Sequence, residues 1–306
     1  MTSSANLFGG ILSAALTPIT SDFKPDYALA AAHCKWLLEN GCDGLAILGT
    51  TGEANSFSVG ERIEIIQNLI SNGISPDVLM PGTGCCSITD TVELTRAAVD
   101  AGAAGVLMLP PFYYKNVSDE GLFASYSEVI QRVADSRLKI YLYHFPQMST
   151  TPISTSLLER LVTAYPETVV GMKDSSGVFE NMLEVMKAVP DFVVLTGLDQ
   201  LLMPLLENGG HGCITACANV SGRLSAEVYA NWKKGEDTRK ANEKLCAVRA
   251  LISEYVLVPA LKHLMARHTG NRGWLNINPP LVMYDDVIVQ ELYAGFDATN
   301  FEIAGM

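Results

Sequence analysis

Gly82-Thr83-Gly84-Cys85-Cys86 closes an apolar run at 78–82, and its reading decides between two parallel α/β folds. Apolar runs of strand length at 11–16, 44–48, 78–82, 105–109, 139–143, 169–173, 192–196 and 212–215 alternate with amphipathic stretches at 27–40, 59–71, 88–101, 118–134, 155–164 and 180–189. That alternation is the mark of repeated strand–helix units and a parallel sheet. A doubly wound sheet would more naturally carry Gly-x-Gly-x-x-Gly after an early strand, and the 82–86 stretch lacks the third glycine. Eight strands, each followed by a helix, give the expected fold class, an α/β protein of the (β/α)8 barrel type.

An eighth helix is expected at 221–234. The chain beyond it stays helical in character at 237–254, 256–268 and near 284–292. Pro259 should break or reset one of these, and Pro279-Pro280 should mark the turn before the last. The expected organisation is a barrel over 1–234 with a helical extension over 235–306, and 306 residues suit one such unit.

Apolar residues make up 48% and charged residues 18%, which suits a sheet covered on both faces. A net charge of −12 argues against nucleic acid, whose phosphates need clustered Lys and Arg. It leaves a small anionic substrate open. The cysteines (34, 42, 85, 86, 213, 217 and 246) are scattered, without the C-x₂-C pairing of a zinc site, and His211 lies alone in a Gly-rich turn. No metal is expected, and reduced thiols point to the cytoplasm. Met1-Thr2-Ser3-Ser4-Ala5-Asn6 shows no basic or apolar leader region, and no apolar run approaches the ~20 residues that span a bilayer.

In such a barrel the chemistry gathers at the C-terminal ends of the strands. Val169-Val170-Gly171-Met172-Lys173 ends one of them in a lysine. Burying an unpaired ammonium is costly, so such a site favours the neutral amine, a nucleophile suited to forming a Schiff base with a carbonyl. The plainer alternative is a surface lysine following a strand. Tyr141-Leu142-Tyr143-His144-Phe145-Pro146 ends the strand before, with Tyr143 at the same rim, where a phenol could relay protons. Gly49-Thr50-Thr51-Gly52-Glu53 reads as a turn with exposed N–H groups for a carboxylate or phosphate, or as an ordinary strand–helix turn. Pro110-Pro111-Phe112-Tyr113-Tyr114-Lys115 is a stiffened aromatic loop that could line a pocket or pack against another subunit.

Together, Gly49-Thr50-Thr51-Gly52-Glu53, Tyr143 in a Tyr-x-x-Pro setting and Gly171-Met172-Lys173-Asp174 resemble the dihydrodipicolinate synthase and N-acetylneuraminate lyase family of class I aldolases. The stretches Gly209-Gly210-His211-Gly212-Cys213-Ile214 and Asn219-Val220 match the same family. The resemblance implies a TIM barrel that binds pyruvate or a related 2-oxo acid as an imine on Lys173. The carboxylate would lie on the backbone N–H groups of Thr50 and Thr51, with Gly49 in the same turn and the Ile214 carbonyl lining the imine pocket. Tyr143 would shuttle protons with Thr50 and with Tyr113, which in the family reaches in from the adjacent subunit. That implies a homodimer, or a homotetramer built from dimers, and no metal or organic cofactor.

One position departs from the family pattern. The synthases usually carry an arginine five residues after the relay tyrosine, to hold the carboxylate of the aldehyde. Here that residue is Met148, and a thioether cannot replace a bidentate guanidinium. The loss is worth on the order of 1.5–3 kcal/mol, which argues against aspartate semialdehyde as the aldehyde partner. Gly197-Leu198-Asp199 resembles the segment that holds substrate hydroxyls in the sugar-acid lyases, although Asp199 also reads as the N-cap of the next helix. The expected activity is a pyruvate-dependent lyase with an unidentified aldehyde. The alternatives are a true dihydrodipicolinate synthase and a Schiff-base dehydratase or deaminase of 2-oxo acids.

Overall fold

The strand–helix alternation is present in the computed structural model, which describes residues 7–305. The strands are β1 (Gly10–Ser13), β2 (Gly44–Leu45), β3 (Val106–Met108), β4 (Ile140–His144), β5 (Val169–Asp174), β6 (Val193–Thr196) and β7 (Gly212–Thr215). The helices are α1 (Tyr27–Glu39), α2 (Val59–Ser71), α3 (Ile88–Asp100), α4 (Asp119–Val133), α5 (Pro146–Ser149), α6 (Thr155–Ala164), α7 (Phe179–Ala188), α8 (Leu202–Glu207), α9 (Ala218–Lys234), α10 (Arg239–Ser253), α11 (Leu257–Thr269) and α12 (Asp286–Ala298). Two compact units share the chain. One holds Ser75–Ile214 with the segment ending at Gly9, and the other holds Gly10–Ile74 with the segment beginning at Thr215.

In the unit built on Ser75–Ile214, β3, β4, β5, β6 and β7 pair side by side, all parallel. Seven strands are formed among the described residues, where eight were expected. The missing one, at 78–82, is reduced to a parallel bridge between Gly82 and Leu107, with Leu107 N–H donating to Pro81 O (2.9 Å) and Thr83 N–H to Leu107 O (3.0 Å). Pro81 has no N–H to continue the ladder, which cuts the strand short.

In the other unit β1 and β2 pair in parallel, Leu12 opposite Gly44 and Ser13 opposite Leu45. β2 stops short of the expected 48 because Leu48 turns left-handed (φ 56°). The eighth helix starts at Ala218 rather than 221, and Ser221 marks a kink within it (φ −116°, ψ 17°). Pro259 sits in the first turn of α11, where no N–H donor is required. The last helix runs on to Ala298. No helix among the described residues is long and apolar enough to cross a membrane.

Asn219 is the polar hub of this unit. Its amide oxygen accepts Leu16 N–H (2.9 Å) and His33 Nε2 (2.8 Å), and its amide nitrogen donates to Ala14 O (2.9 Å) and Ala216 O (2.7 Å). His33 is fully buried with Trp274 edge-on at 4.8 Å, and its Nδ1 has no partner among the described residues. Burial therefore lowers its pKa from 6.5 to about 4, against the opposing bond to Asn219. Below about pH 6.5 the unfolded chain takes up a proton that the folded chain refuses. Stability present above that pH is thus lost as pH falls toward 4, by about 3 kcal/mol. Urea unfolding at pH 7 and pH 4.5 should show the wild type losing about 2–3 kcal/mol more than His33→Leu. Equal losses in the two proteins would contradict the assignment.

Candidate active site

β4 and β5 place the two residues singled out above directly opposite each other, Tyr143 against Lys173. Two residues earlier on the same face, Tyr141 opposes Gly171. A Cβ on Gly171 would stand 2.5 Å from the Tyr141 ring, and one on Gly105 would stand 2.8 Å from it. The ring fills the space those glycines leave, and its hydroxyl accepts Phe8 N–H (2.9 Å). Above this plug Tyr143 and Lys173 are each 5% exposed. Lys173 Nζ donates a long hydrogen bond to Tyr143 Oη (3.4 Å) and lies 4.4 Å from the centre of the ring. Phe145 stacks on the other partner, its ring 5.6 Å from that of Tyr143.

The next pair in register, His144 and Asp174, points to the opposite face. Asp174 accepts Ser176 N–H (2.7 Å) and the Asn181 side-chain amide (2.5 Å), fixing the loop that leaves Lys173. His144 Nδ1 accepts Ile153 N–H (3.1 Å), and burial lowers its pKa against the pull of Asp174. Gly197 donates to Asp174 O (2.6 Å) and passes so close to Ser175 that a Cβ would strike its hydroxyl. Asp199 is wholly buried as the first residue of a short turn whose cap position is Leu198, so the N-cap reading does not hold. Ile214 lies buried in β7.

Met148, on the one-turn helix α5, is 57% exposed. Tyr113 is 72% exposed and packs edge-on against Tyr114 (5.4 Å), so it is not brought to Tyr143 within this chain. Lys115 Nζ is held by the carbonyls of Phe112 and Ser149, which ties the two loops together.

In the other unit, the 49–53 turn lies between two left-handed residues, Leu48 (φ 56°) and Glu53 (φ 54°), rather than on its glycines. Glu53 N–H donates to Thr50 O and Ala54 N–H to Gly49 O, both at 3.2 Å. Among the described residues no acceptor takes the N–H groups of Thr50 and Thr51. Thr50 is exposed and Thr51 buried. The sequence pattern did not reveal Lys262, on α11, which forms a buried ion pair with Glu53.

Paired parallel strands between helices, with a buried lysine facing a buried tyrosine near their C-terminal ends, make this an α/β fold with a candidate site at one rim. The chain belongs to the dihydrodipicolinate synthetase family, whose model matches residues 7–294. It is 36% identical over 255 residues to an uncharacterized DapA-like lyase of Chloroflexus aurantiacus, covering 83% of this chain and 84% of that protein. It resembles the crystal structure of dihydrodipicolinate synthase from Agrobacterium tumefaciens (TM-score 0.88, 32% identity, 95% of this chain and 99% of that one). It also resembles YagE of E. coli K12, a family member solved in complex with pyruvate (TM-score 0.89, 25% identity, 96% and 99% covered). The protein is a lyase of the (β/α)8 fold class with C-terminal helices.

Proposed function

We propose that the protein is a pyruvate-dependent class I aldolase working through an imine on Lys173. The supporting observation is the approach of Lys173 Nζ to Tyr143 Oη at paired strand ends, both side chains nearly sealed from water. The free amine attacks C2 of pyruvate, and the carbonyl oxygen gains protons and leaves as water while the C=N bond forms. Tyr143 Oη, beside the nitrogen, hands over and takes back the proton that this exchange requires. Loss of a proton from C3 gives the enamine. C3 then bonds to the aldehyde carbon, the aldehyde oxygen takes up a proton, and water hydrolyses the imine to free Lys173 and a 4-hydroxy-2-oxo acid. The reverse sequence cleaves such an acid.

The motif assigns the substrate carboxylate to the N–H groups of Thr50 and Thr51, and a hydroxyl relay to Tyr143, Thr50 and the Tyr113 of a second copy. A homodimer or homotetramer follows from that assignment, and the free cysteines favour the cytoplasm. The acceptor carries no carboxylate. Of the loops at 109–118 and 145–154, only the former holds a cation, Lys115, and backbone carbonyls occupy it. The likeness to the A. tumefaciens synthase favours a true dihydrodipicolinate synthase instead, and Met148 stands against it.

In D₂O, without any acceptor, the enzyme should exchange the methyl protons of pyruvate, followed by NMR. Lys173→Ala should abolish this, and Tyr143→Phe should slow it about a hundredfold or more. A wild type no faster than buffer would sink the reading. Met148→Arg should raise kcat/KM for a carboxylate-bearing aldehyde about ten- to a hundredfold relative to a neutral one. An unchanged ratio would remove Met148 from the choice of acceptor.

A further inference from the structure

Glu53 closes the 49–53 turn in a left-handed conformation (φ 54°, ψ 31°), which is uncommon for a residue with a side chain. Its carboxylate runs inward, where its side chain is 1% exposed and that of Lys262 is 0%. One oxygen meets Lys262 Nζ and the other accepts Asn278 N–H (2.8 Å). Lys262 Nζ also donates to Asn276 O (2.8 Å), and the Asn276 amide donates to Ile19 O (3.0 Å). Two separate stretches, α11 and the segment at 276–278, thus grip one carboxylate.

The opposite side of the turn is equally confined. A Cβ on Gly52 would stand 3.0 Å from Ala15 O and 3.1 Å from Thr17 Oγ1. Burial draws the Lys262 ammonium below its ordinary pKa, against the pull of Glu53. A fully buried ion pair is seldom more stabilising than apolar side chains of similar volume, so what it gives here is a fixed geometry. The element it fixes is the turn whose Thr50 and Thr51 N–H groups meet no acceptor among the described residues.

We propose that Lys262 and Glu53 are a positioning pair that holds the 49–53 turn in the form that receives a substrate carboxylate. This rests on the carboxylate role proposed for that turn. Neither residue touches substrate. The pair acts through the backbone, so its main effect falls on the binding of the carboxylate group, while the proton transfer at the amine stays with Tyr143, whose hydroxyl lies beside Lys173 Nζ.

The test compares Lys262→Met, Glu53→Gln and the double variant in the deuterium exchange of pyruvate and of acetone, a ketone without a carboxylate. The saturation constant for pyruvate should rise about tenfold or more in each single variant. The maximal exchange rate should stay within about threefold, and acetone exchange should match the wild type. The double variant should be no worse than Lys262→Met, because the pair acts as one unit. Lys262→Arg should recover part of the affinity for pyruvate. An unchanged pyruvate constant in folded Lys262→Met, or equal losses with pyruvate and acetone, would overturn the proposal. If Lys262→Met fails to fold, Glu53→Gln, which keeps the acceptor for Asn278, decides between the same two outcomes. Absence of exchange in the wild type would instead refute the imine reading.

Discussion

Tyr141 occupies the space that Gly105 and Gly171 leave beside β4, and this fit sets the register on which the proposed chemistry depends. Parallel strands alternate their side chains, so a slip of one residue would turn Lys173 to the opposite face. With Tyr141 wedged opposite Gly171 and anchored through its hydroxyl to Phe8 N–H, Tyr143 must face Lys173 one step further on. The same register sends His144 and Asp174 outward, where Asp174 secures the loop leaving the lysine. Lysine and loop are therefore fixed by one pairing.

Much of this was legible in the residues. Period alone placed five of the strands to within a residue at each end, and α2 and α6 were placed to the residue. Alternation along the chain was enough to put Tyr143 and Lys173 at one rim. The third strand was not legible as a fragment, because an apolar run reads as a strand whether or not Pro81 can donate to the ladder. The left-handed turn at Leu48 was invisible for a similar reason, since leucine carries no signal for positive φ. Asp199 read as a cap because it precedes a helix, whereas it is the buried first residue of a short turn.

Lys262 escaped because its partner lies 209 residues away, and long-range pairing leaves no trace in local periodicity. One clue was available. Val258, Pro259, Ala260 and Leu261 lead into it and Leu264 and Met265 follow, so a charge stands within an otherwise apolar stretch. A lysine there needs a buried anion. Lys173 ends a strand on the same principle, yet its neighbours are aromatic rather than anionic, an environment suited to reaction more than to pairing.

The central claim concerns one nitrogen. Incubation with pyruvate, reduction with borohydride and peptide mass mapping would test it most directly. A single reduced pyruvate adduct on Lys173 is the result expected. No adduct, or one on another lysine, would contradict the account.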